Sequence, residues 1–422
     1  MGDVGDEDDE EEVNDLAAAD DVANNDRANS TKRGYESKIR KMQTYAQLHV
    51  GEYGEVFSHY PLPVDFVKAF MGYAQVNPTT QKKRSASYVR GFISALKWSY
   101  SNEAIEIQPE LDIWLTRFNK GHKRAIASAK QAGEMDQQEG KLGFSMTAYV
   151  YLANVFLKEY QTDTAYAHLF FVLSWNLMAR GDAVARLKYD FMWWDNDMIV
   201  AMPPKNKADQ AGEKIVGKHI AANPFSPDIC PFIALARHVF SDGDREEYSD
   251  VFTRSAYEGF GHAFHAVVRA EGANAHLEID PDKLGKHSTR KGSATYASSF
   301  PGGPGRDEIC QRADWSLGGV RDRYIAPVNN GKDQFVARTL AGLDLGSVDF
   351  CVLPPHFSAA DRPTVEDQLR GVLNVDAFPG SFRGCLLGLL ASLANSIDFL
   401  EATLGPQDRL RSSRTWTSGT CV

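Results

Sequence analysis

Cysteine is scarce in this chain, five in 422 residues, and Cys230, Cys310, Cys351, Cys385 and Cys421 stand far apart with no C-x-x-C pair. That spacing assembles neither a zinc site nor a disulfide framework, and it suits a reducing compartment. Long apolar runs are missing as well. The nearest, GCLLGLLASLA at 384–394, is too short and too rich in small residues to cross a bilayer. No basic leader opens the sequence: its first residues are acidic, unlike a secretory signal or an arginine-rich transit peptide. No internal repeat is present. The expectation is a soluble intracellular protein with no membrane partner and no metal.

An excess of positive charge is also lacking, since the net charge is −10. The deficit is local. Residues 1–30 hold twelve Asp/Glu against a single arginine, and the rest of the chain is close to neutral. Within it, residues 31–130 carry sixteen Lys/Arg against eight Asp/Glu. Such an acidic tail reads as a disordered solubilising segment, one that could also compete with a polyanion for the basic region behind it. Hydrophobic residues at 43% and charged residues at 24% are ordinary for a globular protein, and the length allows two or three domains.

The pattern is mainly α with a small antiparallel β-sheet. In KRGYESKIRKMQTYAQLHV (32–50), Tyr35, Ile39, Met42 and Tyr45 recur at helical spacing, and PVDFVKAFMGYAQ (63–75) reads as a second helix. A third is expected over 79–101, with Lys83, Arg90 and Lys97 seven apart on one stripe. Lys82 and Arg84 flank that stripe. A helix at 109–121 follows, then a basic, small-residue stretch at 122–141 that suits a linker. Beyond it, helices at 145–160 and 163–179 lead to FMWW, a polar turn Asp195-Asn196-Asp197 and MIVAMPP, a β-hairpin. A third strand is expected at 213–220 after a polar loop, then helices to about 342. The end carries a helix at 364–373, an apolar helix at 381–402 and an unstructured RSSRTWTSGTCV. The expected divisions are a tail at 1–30, a helical domain at 31–125, a linker at 126–142, a second domain at 143–345 and a C-terminal helical extension at 346–422.

The segment KHSTRKGSATYA (286–297) places His287 and Arg290 three apart at the head of a helical run, so both would address one object, an anion, or else form the solvated basic face of a helix start. Alone, H-x-x-R is a weak signal. Arg180 ends SWNLMAR, and RADWSLGGVRDRYIAP (312–327) sets Trp315 and Tyr324 nine apart. Lys205 and Lys207 both lie in the loop closing the hairpin, with Lys207 preferred because it immediately precedes the turn after the strand.

Arg180, Lys207, His287 with Arg290, Trp315 and Tyr324, in that order, resemble the tyrosine recombinases of the phage-integrase family. HSTRKGSATYA, RADWSLGGVRDRY and DQFVARTLAGL look most like Crypton-type recombinases of eukaryotic mobile elements. The resemblance covers about residues 30–355. The family usually carries an acidic residue three after its first arginine, whereas here Asp182 is two after Arg180 and Ala183 takes the usual place.

The resemblance implies a helical core-binding domain plus a tyrosine-recombinase catalytic domain, double-stranded DNA as partner, a homo-tetramer on DNA, a nuclear location and no cofactor. It implies a 3′-phosphotyrosine intermediate made by Tyr324. Arg180 and Arg290 would clamp the phosphate, since a guanidinium forks onto two oxygens and neutralises transition-state charge. His287 would act as base or brace, Lys207 as general acid, and Trp315 as indole donor or packing for the tyrosine's helix. Lys82, Lys83, Arg84, Arg90 and Lys97 would meet DNA phosphates. Two other readings stay open: topoisomerase-like nicking and resealing, and a domesticated DNA-binding protein that no longer cuts.

Overall fold

Apolar residues at helical spacing build the N-terminal of the two units seen in a computed structural model, Met1–Glu139 and Gly140–Val422. The structure describes residues 28–137, 140–158, 165–204, 216–241, 246–315 and 331–419. The acidic tail falls almost wholly outside them.

In the first unit, α1 (Asn29–Leu48), α2 (Val64–Ala74), α3 (Ala86–Asn102) and α4 (Pro109–Gln131) enclose one core. Met42, Phe66, Phe70, Phe92, Leu96, Leu111 and Leu115 are its centre. Ser85 starts α3, its hydroxyl accepting from the Tyr88 N–H at 3.2 Å. That start corrects the expected helix over 79–101: Lys83 lies before it, in a bridge with Val76, so only Arg90 and Lys97 remain on a helical stripe. Pro109 occupies the first turn of α4 with Glu110 and Asp112, a favourable start. The stretch expected as a linker is helical up to Gln131, because Ile126 and Ala129 are buried by the unit and prolong the apolar face.

The second unit is organised around α6 (Ala167–Asn176), which follows α5 (Met146–Lys158) and is buried on every side. A helix apolar all round has to be central. Strands β1 (Met192–Asp195), β2 (Met198–Ala201) and β3 (Lys218–Ile220) form an antiparallel sheet in that order. The expected hairpin is present, with Trp193 opposite Val200 and Val200 opposite His219. Asn196 in its two-residue turn has φ 54°, a conformation asparagine tolerates. β3 begins at Lys218, with Val216 and Gly217 before it outside the strand; residues 213–215 of the expected strand lie outside the described residues. Around this lie α7 (Pro231–Phe240), α8 (Ala256–Val268), α9 (Ser288–Ser298), α10 (Arg306–Arg312) and α11 (Gly331–Leu340).

The C-terminal region shares this core. After α12 (Arg362–Val372), Phe378, Phe382, Leu386, Leu389, Leu390 and Leu393 join the same buried cluster as α6. The apolar helix expected at 381–402 is broken: Gly380–Arg383, α13 (Leu386–Asn395) and α14 (Ile397–Thr403), with a 66° bend before α14. Trp194 covers Gly388, where a Cβ would meet the indole at 2.7 Å, so only glycine admits this closeness. Among the described residues no single helix is long and apolar enough to cross a membrane. The expected unstructured end is corrected too. Residues Arg409–Ser412 and Arg414–Thr417 are short helices, with Leu410 and Thr415 buried.

Candidate functional site

Arg180 is delivered by the way α6 ends. The helix stops at Asn176, Met178 turns with φ 44°, and Arg180 is extended, its carbonyl accepting from Ala183 at 2.9 Å and Val184 at 3.0 Å. Arg180 therefore sits four residues past the helix, at the head of a short turn (Gly181–Val184), a correction to its expected place on the helix end. Its Nη1 is enclosed and has no hydrogen-bond partner among the described residues. Asp182 faces Arg186 at 3.4 Å.

His287 and Arg290 come from the start of α9. His287 precedes the helix and is exposed, whereas Arg290, one turn on, is 6% exposed. The helix is pressed against its surroundings at Gly292, where a Cβ would lie 2.5 Å from the Phe144 carbonyl oxygen and 3.0 Å from Trp175. Arg290 Nη2 donates to the Ala313 carbonyl, and its Nη1 is buried without a partner among the described residues. Burial, then the charge of Arg180, push its pKa down to about 10 against the opposite pull of Asp314 and Asp182. The guanidinium lies 5.5 Å from the ring centre of Trp315, which is 41% exposed. The His287 imidazole is also held below its ordinary 6.5, by desolvation and by Arg290 and Arg180.

The structure thus brings Arg180, His287, Arg290 and Trp315 together at one place. Lys207 and Tyr324 lie outside the described residues. Two enclosed guanidinium nitrogens without acceptors, in a region already rich in positive charge, are chemically complementary to an oxyanion such as phosphate. Among the described residues no cluster of His, Cys, Asp and Glu could hold a metal.

Behind the arginines is a network that residue spacing did not disclose. Lys218, on β3 and 4% exposed, donates to Asp314 Oδ2 at 2.9 Å and to the Leu177 carbonyl at 3.4 Å. Arg312 reaches Asp333 Oδ1 at 2.7 Å, the Asn176 carbonyl at 2.7 Å and the His219 carbonyl at 2.5 Å. His219 faces Asp333 Oδ2 at 2.8 Å and Asp195 Oδ2 at 3.0 Å. Burial opposes its charged form, but the two carboxylates outweigh burial and raise its pKa above 6.5. The one available signal was a charged Lys-His pair inside a short apolar strand, which demands buried partners.

In the first unit, Lys82, Lys83 and Arg90 are exposed, and Lys97 is paired with Asp112 at 2.5 Å. Arg84 lies 4.5 Å from the Tyr88 ring centre and donates to its hydroxyl. Two further cations gather on the same ring, Lys38 at 5.0 Å and Lys41 at 5.6 Å. Desolvation and Lys41 lower the pKa of Lys38.

No family model and no curated protein matches the sequence. Among solved structures the chain is similar to a Flpe mutant in complex with a DNA Holliday junction, at 11% identity and a TM-score of 0.40, over 75% of this chain and 80% of that one. It is also similar to an FLP recombinase–Holliday junction complex, at 10% identity and a TM-score of 0.39, over 89% of this chain and 99% of that one.

Proposed function

We propose that this protein is a site-specific DNA recombinase that cuts and rejoins strands through a 3′-phosphotyrosine, encoded by a Crypton-like mobile element and acting as a tetramer on DNA in the nucleus. The observation that carries the reading is the convergence of Arg180 and Arg290, each with an enclosed Nη1 lacking an acceptor, beside His287 and Trp315. In this reading a scissile phosphate supplies the missing acceptors, and the two guanidinium groups neutralise charge that grows on its non-bridging oxygens.

The Tyr324 hydroxyl oxygen attacks phosphorus, the bond to the 5′-oxygen breaks, and a phosphotyrosine ester forms on the 3′ side. His287, its protonation disfavoured by desolvation and then by Arg290 and Arg180, takes the phenolic proton or braces the phosphate. Lys207 gives a proton to the leaving 5′-oxygen. A partner strand's 5′-hydroxyl then attacks the ester and reverses the bond changes, so no external energy source is consumed. Lys82, Lys83, Arg84 and Arg90 contribute phosphate contacts from the first unit, and this part of binding falls steeply with salt.

The test is covalent capture on nicked, randomised duplexes. Wild type should yield protein–DNA adducts resistant to denaturation and Tyr324→Phe none. Adducts that persist in the phenylalanine variant would reassign the nucleophile. Duplex binding at low salt with no adduct from wild type would favour a DNA-binding protein without cleavage.

A further inference from the structure

We infer that Lys218 is a positioning residue that sets the separation and aim of the two arginines, acting through Asp314 and the Leu177 carbonyl. This rests on the strand-transfer reading of the site. The segment that delivers Arg180 and the segment that holds the Arg290 guanidinium from outside its own helix come from distant parts of the sequence, and Lys218 is bonded to both. Leu177 lies in the turn between α6 and Arg180, three residues before the arginine. Asp314 lies between Ala313, whose carbonyl holds Arg290 Nη2, and Trp315, whose ring lies against the same guanidinium.

Residues 313–315 therefore contribute three successive contacts: a carbonyl to Arg290, a carboxylate to Lys218 and a ring to Arg290. Asp314 adopts φ 51°, a left-handed conformation costly for a non-glycine residue, which the Lys218 contact helps to hold. Arg312 makes a parallel tie, since it bonds the Asn176 carbonyl one residue before Leu177. A β-strand is a rigid support for such a tie.

Several features argue against a direct chemical role. The Lys218 side chain is 5% exposed and its ammonium is committed to two acceptors inside the protein. A lysine and aspartate sealed together are costly to bury, and the gain here is geometric. Backbone bonds to Ile309, Gln311 and Cys310 hold residues 313–315 to the preceding helix. The pair adds a tie that fixes them against β3 and the Leu177 turn, and through them the aim of Arg290.

The experiment uses the full chain with Lys218→Met, which keeps the stem, and Asp314→Asn, which keeps the shape and removes the charge. Three quantities are measured: the single-turnover rate of adduct formation on a nicked duplex, duplex affinity, and affinity for inorganic phosphate by calorimetry. Both variants should slow adduct formation roughly tenfold or more and weaken phosphate binding, with duplex affinity nearly unchanged. If Lys218→Met does not fold, Asp314→Asn carries the test.

Folded variants that match wild type in rate and phosphate affinity overturn the positioning role and leave strand transfer standing. A wild type that binds phosphate more tightly than its variants but forms no adduct supports the positioning role and refutes strand transfer. A wild type that neither cuts nor binds phosphate overturns both.

Discussion

Arg290 lies buried within the field of Arg180, and these two effects, burial first, bring its pKa down to about 10. Each arginine keeps one enclosed nitrogen without an acceptor. The arrangement costs stability in the free protein and is repaid when an anion arrives. Arg180→Gln should therefore lower the rate of adduct formation by about 10²- to 10³-fold, the loss seen when one donor to a developing oxyanion is removed. Thermal melting of the free protein should not fall, and should rise if relief of the repulsion dominates. A variant that loses cleavage and several degrees of melting temperature together would instead place Arg180 among structural residues.

His287 is held below 6.5 by desolvation and by Arg290 and Arg180. As a base or a neutral brace it stays competent at pH 6.5, where a free imidazole would be half protonated. The adduct-forming rate should hold steady as pH falls to 6.5 and decline only below it, and His287→Asn should remove that acid limb. The sign for stability follows from the same shift. An unfolded chain takes up the proton more readily than the folded one, so His287 penalises the fold as pH drops through and below 6.5. A rate profile that already falls between pH 8 and 7 would exclude this role.

Much of the architecture was legible because apolar spacing reports it: Phe66 and Phe70 on α2, Phe92 and Leu96 on α3, and the hairpin around Asn196 are short-range patterns. Arg180 was misplaced by a few residues because α6 ends at Asn176, where carbonyls 176 and 177 are taken up by Arg312 and Lys218 from far along the chain. No spacing encodes a carbonyl acceptor. The stripe through Lys83 failed for a local reason, since Ser85 caps α3 and leaves Lys83 in an extended bridge. Arg290 and His287 were readable as a pair because a three-residue spacing across a helix start sets them one turn apart. Their shared field with Arg180 required the fold.

His219 bridges Asp333 and Asp195, and the two carboxylates raise its pKa above 6.5 in spite of burial. Arg312 is the cation beside them, bonded to Asp333 at 2.7 Å. A raised histidine pKa contributes stability that is complete below 6.5 and is lost as pH climbs through the folded value. Melting temperature should therefore decline as pH rises above 6.5 and through the folded value. His219→Gln should flatten that decline and cost about 1.5 to 3 kcal/mol at pH 6, the range for hydrogen bonds to charged groups. Equal slopes for wild type and variant between pH 6 and 9 would show that the histidine does not change charge there.

The end of the chain is tied to the core by Asp408, which accepts from Arg237 Nε at 3.1 Å and Nη2 at 2.5 Å with both side chains buried. His168 on α6 is near the same arginine, and burial with the Arg237 charge pushes its pKa down to about 3, so it stays neutral and adds no second positive charge there. Asp408→Ala leaves an uncompensated guanidinium in the interior and should destabilise the protein by about 3 to 5 kcal/mol, measured by denaturant unfolding. Arg237→Met with Asp408→Leu removes both charges and should recover most of that loss, because the cost lies in the unpaired ion and not in the missing bond. A chain shortened to residue 407 strands the same arginine and also removes the buried Leu410 and Thr415, so it should lose at least as much as Asp408→Ala. If shortening proved neutral while Asp408→Ala did not, the damage in the point variant would come from the altered tail and not from Arg237.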